Sequence, residues 1–220
     1  MAMLEYNPPT DPWVDIVFED DHILAVNKPS GLLSVPGRAP EHHDSMWSRL
    51  QETYPEIQVV HRLDMCTSGL MVLALGKPME RELSILFQQR KVFKRYEAVV
   101  TGKLAEQTGE IDLPLITDWP NRPRQMVDHE RGKSSQTRYQ VMAYDAKDNA
   151  SRMELEPLTG RTHQLRVHML SIGHPLLGDQ LYAHGEALDA CPRLALHAAR
   201  LGINHPETGE RMIFDSPAPF

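Results

Sequence analysis

Asp64 stands in the stretch HRLDMCTSGLMVLA (residues 61–74), two residues after Arg62 and just ahead of a Thr-Ser-Gly turn that opens an apolar run. A guanidinium beside a carboxylate keeps it ionised and aims it. Such a group can serve as a nucleophile or a general base, although a turn cap or surface ion pair uses the same residue types. A second constellation is PLTGRTHQLRVHMLSIGHPLLGDQLY (residues 157–182). It predicts a helix with Arg161 at its entrance and with His163 and Arg166 on one face, since residues three apart are neighbours there. Leu165, Met169 and Ile172 form an adjacent apolar stripe. This helix is either a core helix with a polar edge or one that presents guanidinium groups to a carboxylate and to phosphates. Tyr96, in KRYEAVV, offers an aromatic ring to a bound base and a hydroxyl for proton transfer; the plain alternative is a half-buried sheet tyrosine.

Other chemistries find less support. His163 and His168 are five residues apart, about 140° round a helix, whereas two ligands converge at a spacing of four. No metal site is expected. Ser30, Ser34 and Ser68 lie near glycines without a G-x-S-x-G elbow. Asp64 has no carboxylate close in sequence to complete an ordinary glycosidase pair. Neither a G-x-G-x-x-G nor a G-x-x-x-x-G-K-[ST] motif occurs.

The elements that must hold these residues can be read from periodicity. VDIVFED and ILAVNK predict strands around an Asp-Asp-His turn, and KPSGLLSVPG (28–37) a loop. SMWSRLQETY predicts a short helix. LMVLALG is apolar throughout and predicts a central strand. PMERELSILFQQRK places Leu83, Leu86 and Phe87 on one helical face, with Pro78 near the start. KRYEAVVTG and SRMELEP predict strands. Residues 108–141 predict two or three strands around a long loop. THQLRVHMLSIG predicts a helix with Thr162 as N-cap and Gly173 just past its end. RLALHAARLGINHP predicts a strand pair or a bent strand. Strands cluster before and after a few helices, so the expected class is α+β with a long mixed, mostly antiparallel sheet flanked by helices and loops. Residues 1–12, with Pro8, Pro9 and Pro12, predict an irregular tail, and residues 13–220 a single domain.

Composition bounds the setting. The 220 residues are 41% apolar and 24% charged, as in ordinary globular domains. No apolar stretch reaches the ~18 residues of a membrane helix, so no membrane partner is expected. Two cysteines without metal-like spacing point to a reducing cytoplasm. The net charge of −7 sits wholly in residues 1–60, which carry ten acidic and three basic side chains; residues 61–220 are neutral. Within that neutral part RKVFKR (90–95) has four bases and no acid, and WPNRPR (119–124) sets two arginines beside an indole. A local basic face on an acidic protein is one reading, an ordinary solvated face the other.

Taken together, these segments resemble the RluA-type pseudouridine synthases. HRLDMCTSGLMVLA is similar to the family's catalytic motif, with Asp64 at the place of the essential aspartate. LAVNKPSGLLSVPG resembles its N-terminal motif and KRYEAVV the segment bearing the active-site tyrosine. GRTHQLRVHMLSIGHPLLGDQLY and RLALHAARLGINHP resemble the last two motifs. The ordered set spans residues 23–206 and is far more specific than any member of it. DLPLITDWPNRPRQMV (112–127) resembles members that act on both large-subunit ribosomal RNA and transfer RNA.

The resemblance implies the pseudouridine synthase catalytic fold and isomerisation of uridine to pseudouridine in RNA stem-loops, without cofactor or metal. It implies Asp64 as nucleophile, attacking ribose C1′ or removing the C2′ proton. Arg166 is implied as the ion pair to Asp64, and Tyr96 as the ring on the flipped uracil. Leu165 would form apolar wall, with Arg161 and His163 also in the substrate site. Arg62 would fill the gap left by the flipped base. Arg90, Lys91, Lys94, Arg95, Arg122 and Arg124 are candidate phosphate contacts. With no added RNA-binding domain visible, loops 37–45 and 118–133 are expected to read the target, in a protein acting as a monomer. A uracil-releasing RNA glycosylase and a catalytically silent RNA-binding module are the rival readings.

Overall fold

The computed structural model describes residues 6–220. The chain divides into two compact units, one comprising residues up to 94 together with 198–218, the other residues 95–197 with 219–220.

The first unit opens with strands β1 (Ile16–Glu19) and β2 (Ile23–Lys28), joined by the expected turn. Asp20 closes that turn by accepting from the backbone N–H of His22 and Ile23. Helix α1 (Met46–Gln51) starts on Ser45, whose hydroxyl accepts from the Ser48 N–H while the Ser48 hydroxyl accepts from the Ser45 N–H. This reciprocal pair satisfies two orphan donors of the first turn. Strand β3 (Ile57–Val59) follows, then β4 (Ser68–Leu75). Every β4 residue from Ser68 to Ala74 is buried, which is why its sequence does not alternate. β4 pairs antiparallel with β2 and with β3. Helix α2 (Lys77–Gln88) has proline in its first turn and lays Met79 and Leu83 on the sheet, with Leu86 and Phe87 beside them. Burying Leu83 completely is worth about 2 kcal/mol.

β5 (Phe93–Thr101) carries the chain into the second unit. There β6 (Thr108–Asp112), β7 (Leu115–Thr117), β8 (Gln125–Val127), β9 (Gln136–Asp145) and β10 (Ala150–Pro157) follow in turn. β5, β10, β9 and β6 lie side by side in that order with antiparallel pairing, while β7 and β8 make a separate hairpin. Residues 108–141 thus hold four strands rather than two or three, because β7 and β8 are only three residues long and flank a proline-rich turn.

Helix α3 (Gln164–Ser171) is buried on all sides from Gln164 to Met169. Its start differs from expectation. Thr162 is not the N-cap; His163 occupies that position with φ 53° and no side-chain cap bond. The side chain of Gln164 turns back instead, and its Oε1 accepts from the Arg161 N–H and the Thr159 hydroxyl. Gly173, at φ 88°, ends the helix as expected. A short α4 (Glu186–Asp189) precedes β11 (Leu196–Asn204), which returns to the first unit and pairs antiparallel with β12 (Arg211–Asp215). The class is α+β, as the element pattern predicts. Among the described residues no helix is long and apolar enough to cross a membrane.

Candidate active site

In the first unit Asp64 sits half-buried on the loop between β3 and β4, and its carbonyl closes a turn by accepting from the Thr67 N–H at 3.1 Å. The loop 28–37 clamps it from the side. Lys28 is wholly buried, and its Nζ donates to the carbonyls of Pro29 (2.8 Å), Leu32 (2.7 Å) and Met65 (3.1 Å). Gly31 N–H donates to the Met65 carbonyl, and the Ser30 hydroxyl to that of Cys66 at 2.7 Å. The Ser34 hydroxyl donates to the Leu63 carbonyl at 2.7 Å and accepts from the Leu63 N–H at 3.1 Å. Bonds therefore arrive on both sides of Asp64, at residues 63, 65 and 66. A backbone fixed this way presents a side chain at low reorganisation cost. The sequence marks the loop 28–37 as irregular but does not show that its polar side chains face the Asp64 loop.

Two further residues frame this loop. His61 stacks on Phe87 with ring centroids 4.4 Å apart, and its Nε2 accepts from the Val72 N–H at 2.9 Å. Burial, reinforced by the Lys94 charge, lowers the His61 pKa to about 3, so the ring is neutral and carries its proton on Nδ1. Gly69, at φ 114°, lets β4 pass the Ala198 backbone; a Cβ there would lie 2.5 Å from the Ala198 nitrogen and oxygen. Arg62 is exposed.

In the second unit Tyr96 lies on β5 opposite Leu155, half-buried, on the strand face that carries the buried Ala98 and Val100. Arg166 on α3 is buried. Its Nε and Nη2 reach the carboxylate oxygens of Asp179 at 2.7 and 2.6 Å. Asp179 is completely buried and was not among the expected site residues. The one hint in the sequence is its place in LLGDQLY, inside the segment that resembles a family motif.

Tyr182 completes this cluster. The Arg166 and Arg124 guanidinium carbons lie 5.1 and 5.2 Å from its ring centroid. Its hydroxyl oxygen accepts from the Gln125 N–H at 2.7 Å and lies within hydrogen-bond distance, 2.8 Å, of His163 Nδ1. Burial pushes its pKa up to about 12, so it stays a hydroxyl donor at any working pH. Tyr182 was also not singled out. Leu165 is buried on α3, while Arg161 is exposed and donates to the Ser134 carbonyl at 3.2 Å. His168 is buried among Leu113, Ser135 and Thr137, with its pKa lowered by burial.

The expected phosphate contacts separate by environment. Arg90 and Lys91 are exposed after α2. Lys94 is half-buried and its pKa is lowered by that burial. Arg95 is ion-paired with Glu154 and lies 3.9 Å from Glu156. Arg122 stacks on Trp119, and Arg124 on Tyr182.

Comparison with known proteins gives consistent results. Residues 22–171 match the family model described as RNA pseudouridylate synthase. A dual-specificity RNA pseudouridine synthase RluA of Vibrio vulnificus (strain CMCP6) is 63% identical over 94% of this chain and 84% of its own length. The protein of the same description from Escherichia coli (strain K12) is 56% identical over the whole of both chains. Among solved structures, human RNA pseudouridylate synthase domain containing 1 is similar with a TM-score of 0.78 and 30% identity, covering 94% of this chain and 84% of the other.

Proposed function

The chain belongs to the RNA pseudouridylate synthase family, and on that premise we propose that it isomerises uridines in large-subunit ribosomal RNA and in the anticodon stem-loop of transfer RNA. The observation that carries the reading is the braced Asp64 loop, lying inside the matched residues and held at residues 63, 65 and 66 by the loop 28–37.

The reaction breaks the C1′–N1 bond, turns the uracil and joins C5 to C1′. C5 loses a proton and N1 ends protonated, so the composition of the nucleotide is unchanged. The target base must first leave its stack, at a cost of a few kcal/mol. Asp64 is the proposed nucleophile, acting at C1′ or on the C2′ proton. Tyr96 packs on the flipped uracil and assists proton loss from C5, with Leu165 in the apolar wall. Arg166 keeps the Asp64 charge stabilised, and its anchoring by Asp179 supports a fixed guanidinium. Arg161 and His163 belong to the substrate side. Arg62, exposed and planar, fills the space the base vacates. Arg90, Lys91, Arg122 and Arg124 meet phosphates; Lys94 and Arg95 are weaker candidates, the first for its burial and the second for its carboxylate neighbours. Residues 13–220 act as one catalytic domain, in a cytoplasmic monomer whose Cys66 and Cys191 form no disulfide.

The test is incubation of unmodified large-subunit ribosomal RNA and transfer RNA anticodon stem-loops with wild-type protein and Asp64→Asn. Pseudouridine is mapped by carbodiimide labelling and primer extension, with free uracil assayed in parallel. Pseudouridine in both RNAs from wild type alone is expected. Free uracil would point to a glycosylase, and binding without product from either protein to a silent module.

A further inference from the structure

The hairpin β7–β8 ends in an exposed aromatic residue capped by a guanidinium. Trp119, 67% exposed, is the first residue of a 3-10 turn (Trp119–Asn121) at the tip. The Arg122 guanidinium carbon lies 4.1 Å from its ring centroid, and Arg122 Nε donates to the Trp119 carbonyl at 3.0 Å. One ring face lies under the guanidinium, and exposure this high leaves the other to water. Among the described residues no carboxylate pairs with Arg122. The acid nearest in sequence, Asp118, is engaged through Oδ2 by the Asn121 side chain at 2.9 Å.

The tip is not a floppy loop. Asp118 N–H donates to the Arg124 carbonyl at 2.9 Å, Asn121 N–H to that of Asp118, and Arg124 N–H to that of Asn121. The tip end of the hairpin is fastened to the same unit by the Gln125 N–H to Tyr182 bond and by Arg124 over the Tyr182 ring. Leu115 and Val127 pack with Val167 and Leu170 of α3. With 67% of its surface in water, the Trp119 ring adds little to the buried core of this unit. A ring beside a cation is instead the pair that binds unstacked bases: the π-face receives the base, and the cation's in-plane N–H groups meet the neighbouring phosphate.

We propose that Trp119 and Arg122 form a base-stacking platform for an unpaired nucleobase of the RNA substrate. This rests on the RNA-isomerase reading and adds the residue pair that grips single-stranded RNA away from the reacting uridine. Trp119 supplies sequence-tolerant stacking, and Arg122 supplies one phosphate contact.

The test compares wild type with Trp119→Ala, Trp119→Phe and Arg122→Ala on the same unmodified RNA stem-loop. Affinity, salt dependence, and KM and kcat for pseudouridine formation are measured. Trp119→Ala should bind about tenfold more weakly, with the loss in KM rather than kcat, and Trp119→Phe should recover most of it. Arg122→Ala should lower the slope of log affinity against log salt by about one. RNA should quench tryptophan fluorescence in wild type and much less in Trp119→Phe. Unchanged melting temperatures will show that folding is not the cause. If wild type forms pseudouridine and Trp119→Ala matches it in affinity and KM, the platform is refuted. If wild type forms no pseudouridine, the isomerase reading fails instead, and stacking is judged on the binding and quenching data alone.

Discussion

Arg166 and Asp179 meet through two hydrogen bonds, Nε to Oδ2 at 2.7 Å and Nη2 to Oδ1 at 2.6 Å, with both side chains sealed from water. Asp179 Oδ1 also lies 3.0 Å from the Leu181 N–H and 3.3 Å from the Tyr182 N–H, so the carboxylate is itself held by the chain that follows it. A guanidinium gripped at two points cannot swing, and its orientation is set before any substrate arrives. Removing one partner takes from the other the buried counter-charge that holds it at two points. Asp179→Ala should therefore lose about 3–5 kcal/mol of stability, read from urea unfolding. The double variant Arg166→Met/Asp179→Leu should regain much of that stability while remaining inactive. A double variant with wild-type turnover would show that this pair serves packing alone.

Lys28 raises a related question on the Asp64 side. Its ammonium satisfies three carbonyls, one of them next to Asp64. Lys28→Met keeps the length and strands those acceptors. A loss of about 3 kcal/mol is expected, together with a fall in kcat of tenfold or more, because a shift of ~1 Å in a catalytic group can cost ~100-fold. Single-turnover rates at saturating RNA will separate this from weakened binding.

How far the site could be read from the sequence follows from what is local. Asp64, its turn and the apolar β4 run are contiguous, so the strand and the carboxylate at its entrance are visible together. The clamp is not, because Lys28 and Met65 are 37 residues apart in sequence. The basic run 90–95 fails as a single face for the same reason. β5 alternation separates Lys94 from Arg95, and the carboxylates that meet Arg95 come from β10, some 60 residues on. Asp179 carries no local signal beyond a glycine before it. Short strands such as β3 and β7 have too few residues for period two to emerge.

The neutral His61 makes stability pH-dependent. Its folded pKa, about 3, lies below the ordinary value of 6.5. Between those values the unfolded chain binds the extra proton, so stability is full above 6.5 and falls as pH drops toward 3. His61→Gln can still accept from the Val72 N–H but cannot titrate. Its stability should fall less steeply than wild type between pH 6.5 and 4, by up to about 1.4 kcal/mol per pH unit. Parallel wild-type and variant curves from denaturant titrations would show that His61 is not a source of the acid sensitivity.

Gly69 and Gly173 separate backbone strain from steric closure. Both have positive φ, 114° and 88°. A Cβ on Gly173 meets nothing within 4 Å, whereas one on Gly69 would sit 2.5 Å from the Ala198 backbone. Gly173→Ala carries only the conformational cost, about 1 kcal/mol. Gly69→Ala must also push β4 away from β11, and the residues it displaces lead directly back to Asp64. It should be destabilised by several times the Gly173→Ala loss, if it folds at all, and its turnover should fall further than its stability at 25 °C would explain. Thermal melts of the two variants, run beside pseudouridine assays, will check both statements. Equal losses in the two variants would mean that β4 has slack at Gly69, and that the Asp64 loop draws its rigidity from the loop 28–37 alone.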